Sequence, residues 1–404
     1  MHAKDASAGK ESGLQRVANH RLKRLQAKRQ AVFLGLACLS IALLVTLTFS
    51  ITPSDSSRRN ETTEAKRPGN EFAVQSQEAV AGVQVENAPS LNLGLGGDVC
   101  FGLDVAGVIA SEGPDYVWED ISALLGNYDF SAVNLEGPLC RGGEPNRDQP
   151  SFKVKGDASC AASMAAAGVD AVCLANDHIM DYGSQGLEET LNILHAQGLK
   201  GVGAGSNKRA AQQPLVLQAE NGARLALLSF CDVAPPSYAA GEDNPGLSAA
   251  DADTVSGLVA EAAQQNPYVA VYFHWGEMAS TQVTERQREL AHTAVLAGAD
   301  LVVGCHPHLV QGIEVWRGVP IIYSLGNLVF NSQSEEGKNA VFAGCNFGSG
   351  RLRSLEIIPL QVERAKPAVL SGERADQVLR KLAATSPGVD LMIYPQTGTA
   401  YLNL

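Results

Sequence analysis

Five short apolar runs in this 404-residue chain finish in side chains that a hydrophobic core cannot satisfy. "LNLGLGGD" ends in Asp98, and "FSAVNLEG" ends in Asn134 and Glu136. "VDAVCLAND" delivers Asn176 and Asp177, with His178 next. "PYVAVYFHWG" carries His274, and "ADLVVGCHPH" closes on His306 and His308. A buried polar group left without a partner costs roughly 1–3 kcal/mol, and more if it is charged. These ends must therefore meet something. Between them lie helical stretches: "YVWEDISALLGNY", "ASCAASMAAAG" stopped by Gly168, "SQGLEETLNILHAQG" with Ser184 as N-cap and Gly198 at its close, "TERQRELAHTAVLAG", and a final "ERADQVLRKLAA". Asn221-Gly222 between two apolar runs marks a hairpin, "IEVWRGVPIIYSLGN" reads as a second, and 340–361 as further β structure. The alternation predicts an α/β chain with a mixed sheet system and helices outside. Ligands in such sheets gather at the carboxyl ends of strands, so five polar ends predict one convergent site.

The residue types narrow the chemistry. Carboxylates mixed with several imidazoles suit Mn, Fe or Zn better than Ca, which prefers oxygen alone. Six or so candidate ligands at these ends exceed what one tetrahedral ion needs. Two divalent ions sharing a bridging carboxylate would use them, and such a pair can hold a phosphoryl group and activate a water. His306 and His308 flank a proline, which predicts both imidazoles on one side of an extended segment.

The N-terminal part sets the expected location. Residues 31–51, "AVFLGLACLSIALLVTLTFSI", form a 21-residue run without charge. At ~1.5 Å per residue it matches a ~30 Å hydrocarbon core. Residues 1–30 carry +6, so the positive-inside rule predicts a single-pass membrane anchor with a cytoplasmic N-terminus and an extracytoplasmic main domain. A cleaved signal peptide would have a shorter apolar core, of ~7–15 residues. The stretch 52–89 reads as a flexible linker, 90–362 as the main domain, and 363–404 as a closing helix and tail. With a net charge of −12, the chain beyond residue 30 carries −18, which disfavours nucleic acid as a partner. Cys38 lies in the apolar run. The other seven cysteines are widely spaced with no CxxC pair; several look like small buried residues, and one or two disulfides stay open.

"GDVCFG", "NLEGPL", "FKVKGD", "LANDHIMDYGSQGLEETLNIL", "HWGEM", "GADLVVGCHPHLVQGIE" and "IIYSLGNLVF" occur in order over about residues 91–331. Together they resemble the CapA-like, poly-γ-glutamate capsule biosynthesis family of the calcineurin-like metallophosphoesterase superfamily. The resemblance implies a four-layer α/β/β/α sandwich, preceded here by one transmembrane helix. It implies a dimetal centre in which Asp98 and His308 bind one ion, Asp177, His274 and His306 the other, and Glu136 bridges. His178 matches the histidine that protonates a leaving group or orients phosphate. Two positions depart from the pattern. The usual Asn-Asn-His is here Asn176-Asp177-His178, which adds a negative charge. Cys100 stands where the wider superfamily has a histidine, either as a thiolate ligand favouring Zn or as a plain buried thiol.

The resemblance and the apolar run together imply a membrane-anchored protein of capsule or poly-γ-glutamate biosynthesis. It would carry out metal-dependent hydrolysis or transfer on a cell-surface polymer or phosphoester, with polyglutamate synthase components as partners. His178 would be the general acid or phosphate orienter, with Asn134 and Glu277 beside the reaction. Asn176, Asp181 and Tyr182 would orient these groups. Lys153 and Lys155 would meet an anionic substrate. The alternatives are a non-catalytic polymer-binding accessory of a membrane synthase, and a general extracytoplasmic phosphoesterase.

Overall fold

The structure, a computed structural model, describes residues 88–146 and 152–404. The apolar run 31–51, the basic tail before it and nearly all of the linker lie outside those residues. Among the described residues no helix is long and apolar enough to cross a membrane.

Two sheets carry the fold. The larger has ten strands, ordered from one edge as Met392–Tyr394, Thr399–Asn403, Arg351–Glu363, Asn339–Gly348, Leu91–Val99, Phe130–Leu135, Ala171–Cys173 and Lys200–Val202. Asn327–Val329 also pairs with Leu91–Val99, and Lys366–Val369 with Arg351–Glu363. The second sheet has six strands: Val310–Trp316, Val319–Leu325, Leu301–Cys305, Tyr268–His274, Arg224–Cys231 and Leu215–Gln218. Leu93, Leu95 and Ala171 from the first sheet share one buried cluster with Leu227, Tyr272 and Val303 from the second. Helices Leu103–Glu112, Ser159–Ala167 and Gly183–Ala196 cover the outer face of the larger sheet. Ala252–Gln265 and Glu285–Leu296 cover the smaller. The layers are therefore α/β/β/α.

Polar staples hold the amino ends of the parallel strands and leave their carboxyl ends free to build a site. Asp129, Asp170 and Asp300 each stand just before a strand. They accept the backbone N–H of Asn92 (2.7 Å), Ser131 (3.0 Å) and Val269 (2.8 Å) on the neighbouring one. Thr284 and Gln287 form a reciprocal capping box at the start of Glu285–Leu296, satisfying two donors that a helix start would otherwise leave bare.

Several local expectations need correction. Residues 116–128 form a 3₁₀ turn and one short helix, Ser122–Leu125, rather than one continuous helix. Helix Gly183–Ala196 starts one residue before Ser184, with Tyr182 in the cap position and no side-chain cap. All seven described cysteines are buried and unpaired, so the one or two disulfides that their number allowed do not form among them. The final residues are more than a helix and tail: Met392–Tyr394 and Thr399–Asn403 extend the larger sheet.

Gly97 explains how the site is brought together. The register of Leu91–Val99 shifts between Leu95 and Asp98, so Gly96 and Gly97 sit in a bulge. A Cβ on Gly97 would lie 1.8 Å from the Gly326 carbonyl oxygen, the group that accepts the Asp98 N–H at 3.0 Å. Gly97→Ala would force these backbones apart. The expected loss is about 3 kcal/mol of stability, read as a lower urea midpoint at unchanged slope.

Candidate metal centre

The five polar strand ends meet. Asp98, Asn134, Glu136, Asn176, Asp177, His178, His274 and His306 are all buried, and His308 is partly buried. They come from three strands of the larger sheet and two of the smaller, so the site straddles the carboxyl ends of both. Their donor atoms fall into three groups with mutual separations below 4.8 Å: Asp98–Glu136–His308, Asp177–His274–His306 and Glu136–Asp177–His178. Glu136 and Asp177 each belong to two groups.

Individual contacts show how tightly the groups face one another. Asp177 Oδ1 lies 2.9 Å from His274 Nε2, and His306 Nδ1 lies 3.1 Å from that same nitrogen. Asp98 Oδ2 lies 3.3 Å from His308 Nδ1, and Glu136 Oε1 is 3.6 Å from His308 Nε2 and 3.9 Å from His178 Nε2. Glu136 Oε2 is buried with no hydrogen-bond partner. A buried carboxylate oxygen is expensive to leave bare, and a cation is the partner this donor set suits. The residues present thus fit bound metal ions. Cys100 belongs to none of the three groups, and burial, reinforced by the charge of Glu136, pushes its thiol well up from the usual range.

Around the donors runs a frame of amides. Asn134 Nδ2 donates to Asp98 Oδ1 at 2.8 Å and lies 3.3 Å from His274 Nδ1. Asn176 Nδ2 donates to Asn134 Oδ1 and to the Leu135 carbonyl, while its own Oδ1 accepts the N–H groups of Gly137 and His178. Asn134 thus contacts two of the candidate ligands, Asp98 and His274. Asp181 Oδ2 holds His178 Nδ1 at 2.7 Å and accepts the Val154 N–H at 2.7 Å. Tyr182 does not join them; it lies under the Lys155 ammonium, 4.6 Å from ring centre to Nζ. Glu277 is exposed, and Lys153 is half-exposed.

His306 and His308 do not sit on an extended segment, as the flanking proline suggested. Both have left-handed backbone, φ 95° and 56°, and their rings lie 6.1 Å apart in different donor groups. That conformation is costly for a side chain with a Cβ, and such strain clusters at functional sites. Asn327 was missed in the sequence. It lies 3.0 Å from His308 Nδ1 through Oδ1, and its Nδ2 donates to the His308 and Gly337 carbonyls. It too follows an apolar strand, in "YSLGN", so the same signal could have found it.

Electrostatics divide the imidazoles. Burial and the neighbouring His274 push His306 down to about 3, so it stays neutral and ready to ligate. Burial opposes charging His308 and His178. Glu136 and Asp98 nonetheless raise His308 to about 10, and the Asp181 hydrogen bond with nearby carboxylates raises His178 to about 9. Burial would also raise Asp98, but the His308 hydrogen bond and charge, with His274 and Asn134, hold it at about 2. Burial raises Glu136. Binding a cation through His308 must displace its proton. Metal affinity should therefore climb as pH rises from 6 toward 8, with proton release seen calorimetrically in buffers of different ionisation enthalpy.

The chain is similar to known proteins over most of its described length. Residues 92–332 match the family model described as bacterial capsule synthesis protein PGA_cap. The chain belongs to the PGA_cap family. This PGA_cap chain is 30% identical over 292 residues to the PGA biosynthesis protein CapA of Bacillus subtilis, covering 72% of this chain and 77% of that one. The capsule biosynthesis protein CapA of Bacillus anthracis is 30% identical over 323 residues, 78% of each chain. A Mycobacterium tuberculosis relative, named a probable polyglutamine synthesis accessory protein, is 29% identical over 270 residues, 62% of this chain and 70% of that one. Among solved structures, the NAD nucleotidase NadN of Haemophilus influenzae overlays at TM-score 0.40 and 16% identity, covering 74% of this PGA_cap chain and 63% of its own, too slight a likeness to argue from.

Proposed function

We propose that this PGA_cap protein is a membrane-anchored, extracytoplasmic metal-dependent hydrolase or transferase with a metallophosphoesterase-like centre, acting on a cell-surface polymer of the poly-γ-glutamate type. The observation that carries the reading is the bare, buried Glu136 Oε2 at the junction of two carboxylate–imidazole groups. Asp98 and His308 would hold one ion, Asp177, His274 and His306 the other, with Glu136 between them. When bound, the ions would supply Lewis-acid polarisation and a water activated at neutral pH.

The chain's own residues would do the rest. Asp181 fixes the His178 ring through Nδ1, which leaves Nε2 facing Glu136 and Asp177. His178, protonated at neutral pH, can donate from Nε2 to a leaving group. Asn134 and Asn176 keep the carboxylate and imidazole donors from rotating. The location rests on the uncharged run 31–51 and the basic segment before it. The mycobacterial relative's name, a probable polyglutamine synthesis accessory protein, supports association with a polymer synthase, here a polyglutamate synthase. The deciding assay measures metal content together with cleavage of γ-linked glutamate polymer and of a generic phosphodiester. Polymer cleavage that needs metal supports the reading. Bound metal without turnover of either compound would replace it with a polymer-binding accessory role, and turnover of the phosphodiester alone with a general phosphoesterase.

A further inference from the structure

Two phenyl rings flank the metal centre without joining its frame of donors and amides. Phe152 stacks on the His178 ring, centroids 5.7 Å apart and planes 20° apart, yet it is 54% exposed. Phe330 lies against the His308 ring at 4.6 Å. Glu136 Oε1 approaches both imidazoles, 3.9 Å from one Nε2 and 3.6 Å from the other. Each histidine thus has a phenyl ring against it, and both histidines face the same carboxylate. A single exposed apolar side chain is ordinary. Here, though, the exposed ring touches the residue assigned proton transfer and is followed at once by Lys153 and Lys155.

We infer that Phe152 is a specificity-determining residue: with Phe330 it forms an apolar rim that seats an extended γ-linked glutamate chain across the centre. This rests on the proposed action on a glutamate polymer. A γ-glutamyl repeat carries a flat secondary amide, two methylenes and one carboxylate. The amide plane and methylenes match a phenyl face, whose contacts reward flat and apolar groups. The carboxylates match the ammonium groups of Lys153 and Lys155. A compact phosphate would reach the centre without using the rim, so the rim selects for chain over small anion.

The test is titration calorimetry of the metal-loaded protein at fixed ionic strength, with a γ-linked glutamate decamer and inorganic phosphate as probes. Phe152→Ala should weaken the decamer about tenfold. It should leave phosphate affinity and metal content unchanged, and Phe152→Tyr should retain decamer binding. Unchanged decamer affinity in Phe152→Ala would overturn the inference while the polymer reading stands. An equal loss for phosphate would also overturn it, making Phe152 a support for His178 alone. A wild-type protein that takes up phosphate but not the decamer would overturn both.

Discussion

Replacing Glu136 with alanine should lower bound metal from about two ions per chain to well below one, and turnover by about 10³-fold or more. Glu136 belongs to the group with Asp98 and His308 and to the group with Asp177 and His178, so its loss would touch both of the proposed ion positions, the second through Asp177. The remaining groups cannot compensate. Asp98 and His308 are only two donors, and removing one central charge leaves His274, His306 and His308 facing one another in a buried space. Loss of transition-state stabilisation worth several kcal/mol translates into at least three decades of rate. Elemental analysis of the purified protein, beside turnover of the γ-linked polymer, reads both effects. Metal stoichiometry that survives Glu136→Ala would count against the bridging position, whatever happens to the rate.

The second large effect concerns His178. His178→Asn should cost about 10²–10⁴ in turnover, the usual range for a general acid, while metal content stays near wild type. The split matters because His178 also falls in a donor group with Glu136 and Asp177. Its Nδ1 is engaged by Asp181, and its Nε2 is 3.9 Å from both carboxylates, farther than the 2.9 Å between His274 and Asp177. His306 and Asp177, both proposed ligands, also approach only to 3.9 Å, so the metal readout is what separates the two roles. Asp181→Asn should reproduce part of the loss and move the basic limb of the pH–rate profile to lower pH. The Asp181 hydrogen bond and charge raise His178, and weakening them lets the ring lose its proton sooner. Metal lost in step with rate in His178→Asn would instead make His178 a ligand.

Much of the fold and the centre was legible in the sequence, for a physical reason. A strand that ends in Asp98, or a helix stopped by Gly168 at φ 107°, is a local event with a local signature. So is the hairpin at Asn221-Gly222, where Gly222 takes φ 86°. The polar ends of five strands could be read together because α/β topology brings such ends to one place. What local pattern could not supply was the backbone of the His306–His308 turn, which is left-handed at both histidines because Asp98 Oδ2 accepts the His306 N–H and Asn327 anchors His308. Those are contacts across 208 and 19 residues. Helix Leu103–Glu112 escaped notice because it begins at Leu103, left-handed at φ 52°, and carries Gly107, so neither a cap nor strong periodicity announces it. Asn327 and the two phenylalanines were missed for a related reason. Asn327 ends an apolar strand as the others do, but its contacts with His308, like those of the two rings, are visible only in the folded chain.

The most direct measurement is anomalous scattering from crystals soaked in Mn or Zn, collected at the absorption edge of the soaked ion. Two peaks are expected on either side of Glu136, one against Asp98 and His308, the other against Asp177, His274 and His306. No peak within coordinating distance of Glu136, or metal bound only at surface carboxylates, would contradict a dimetal centre bridged by that residue.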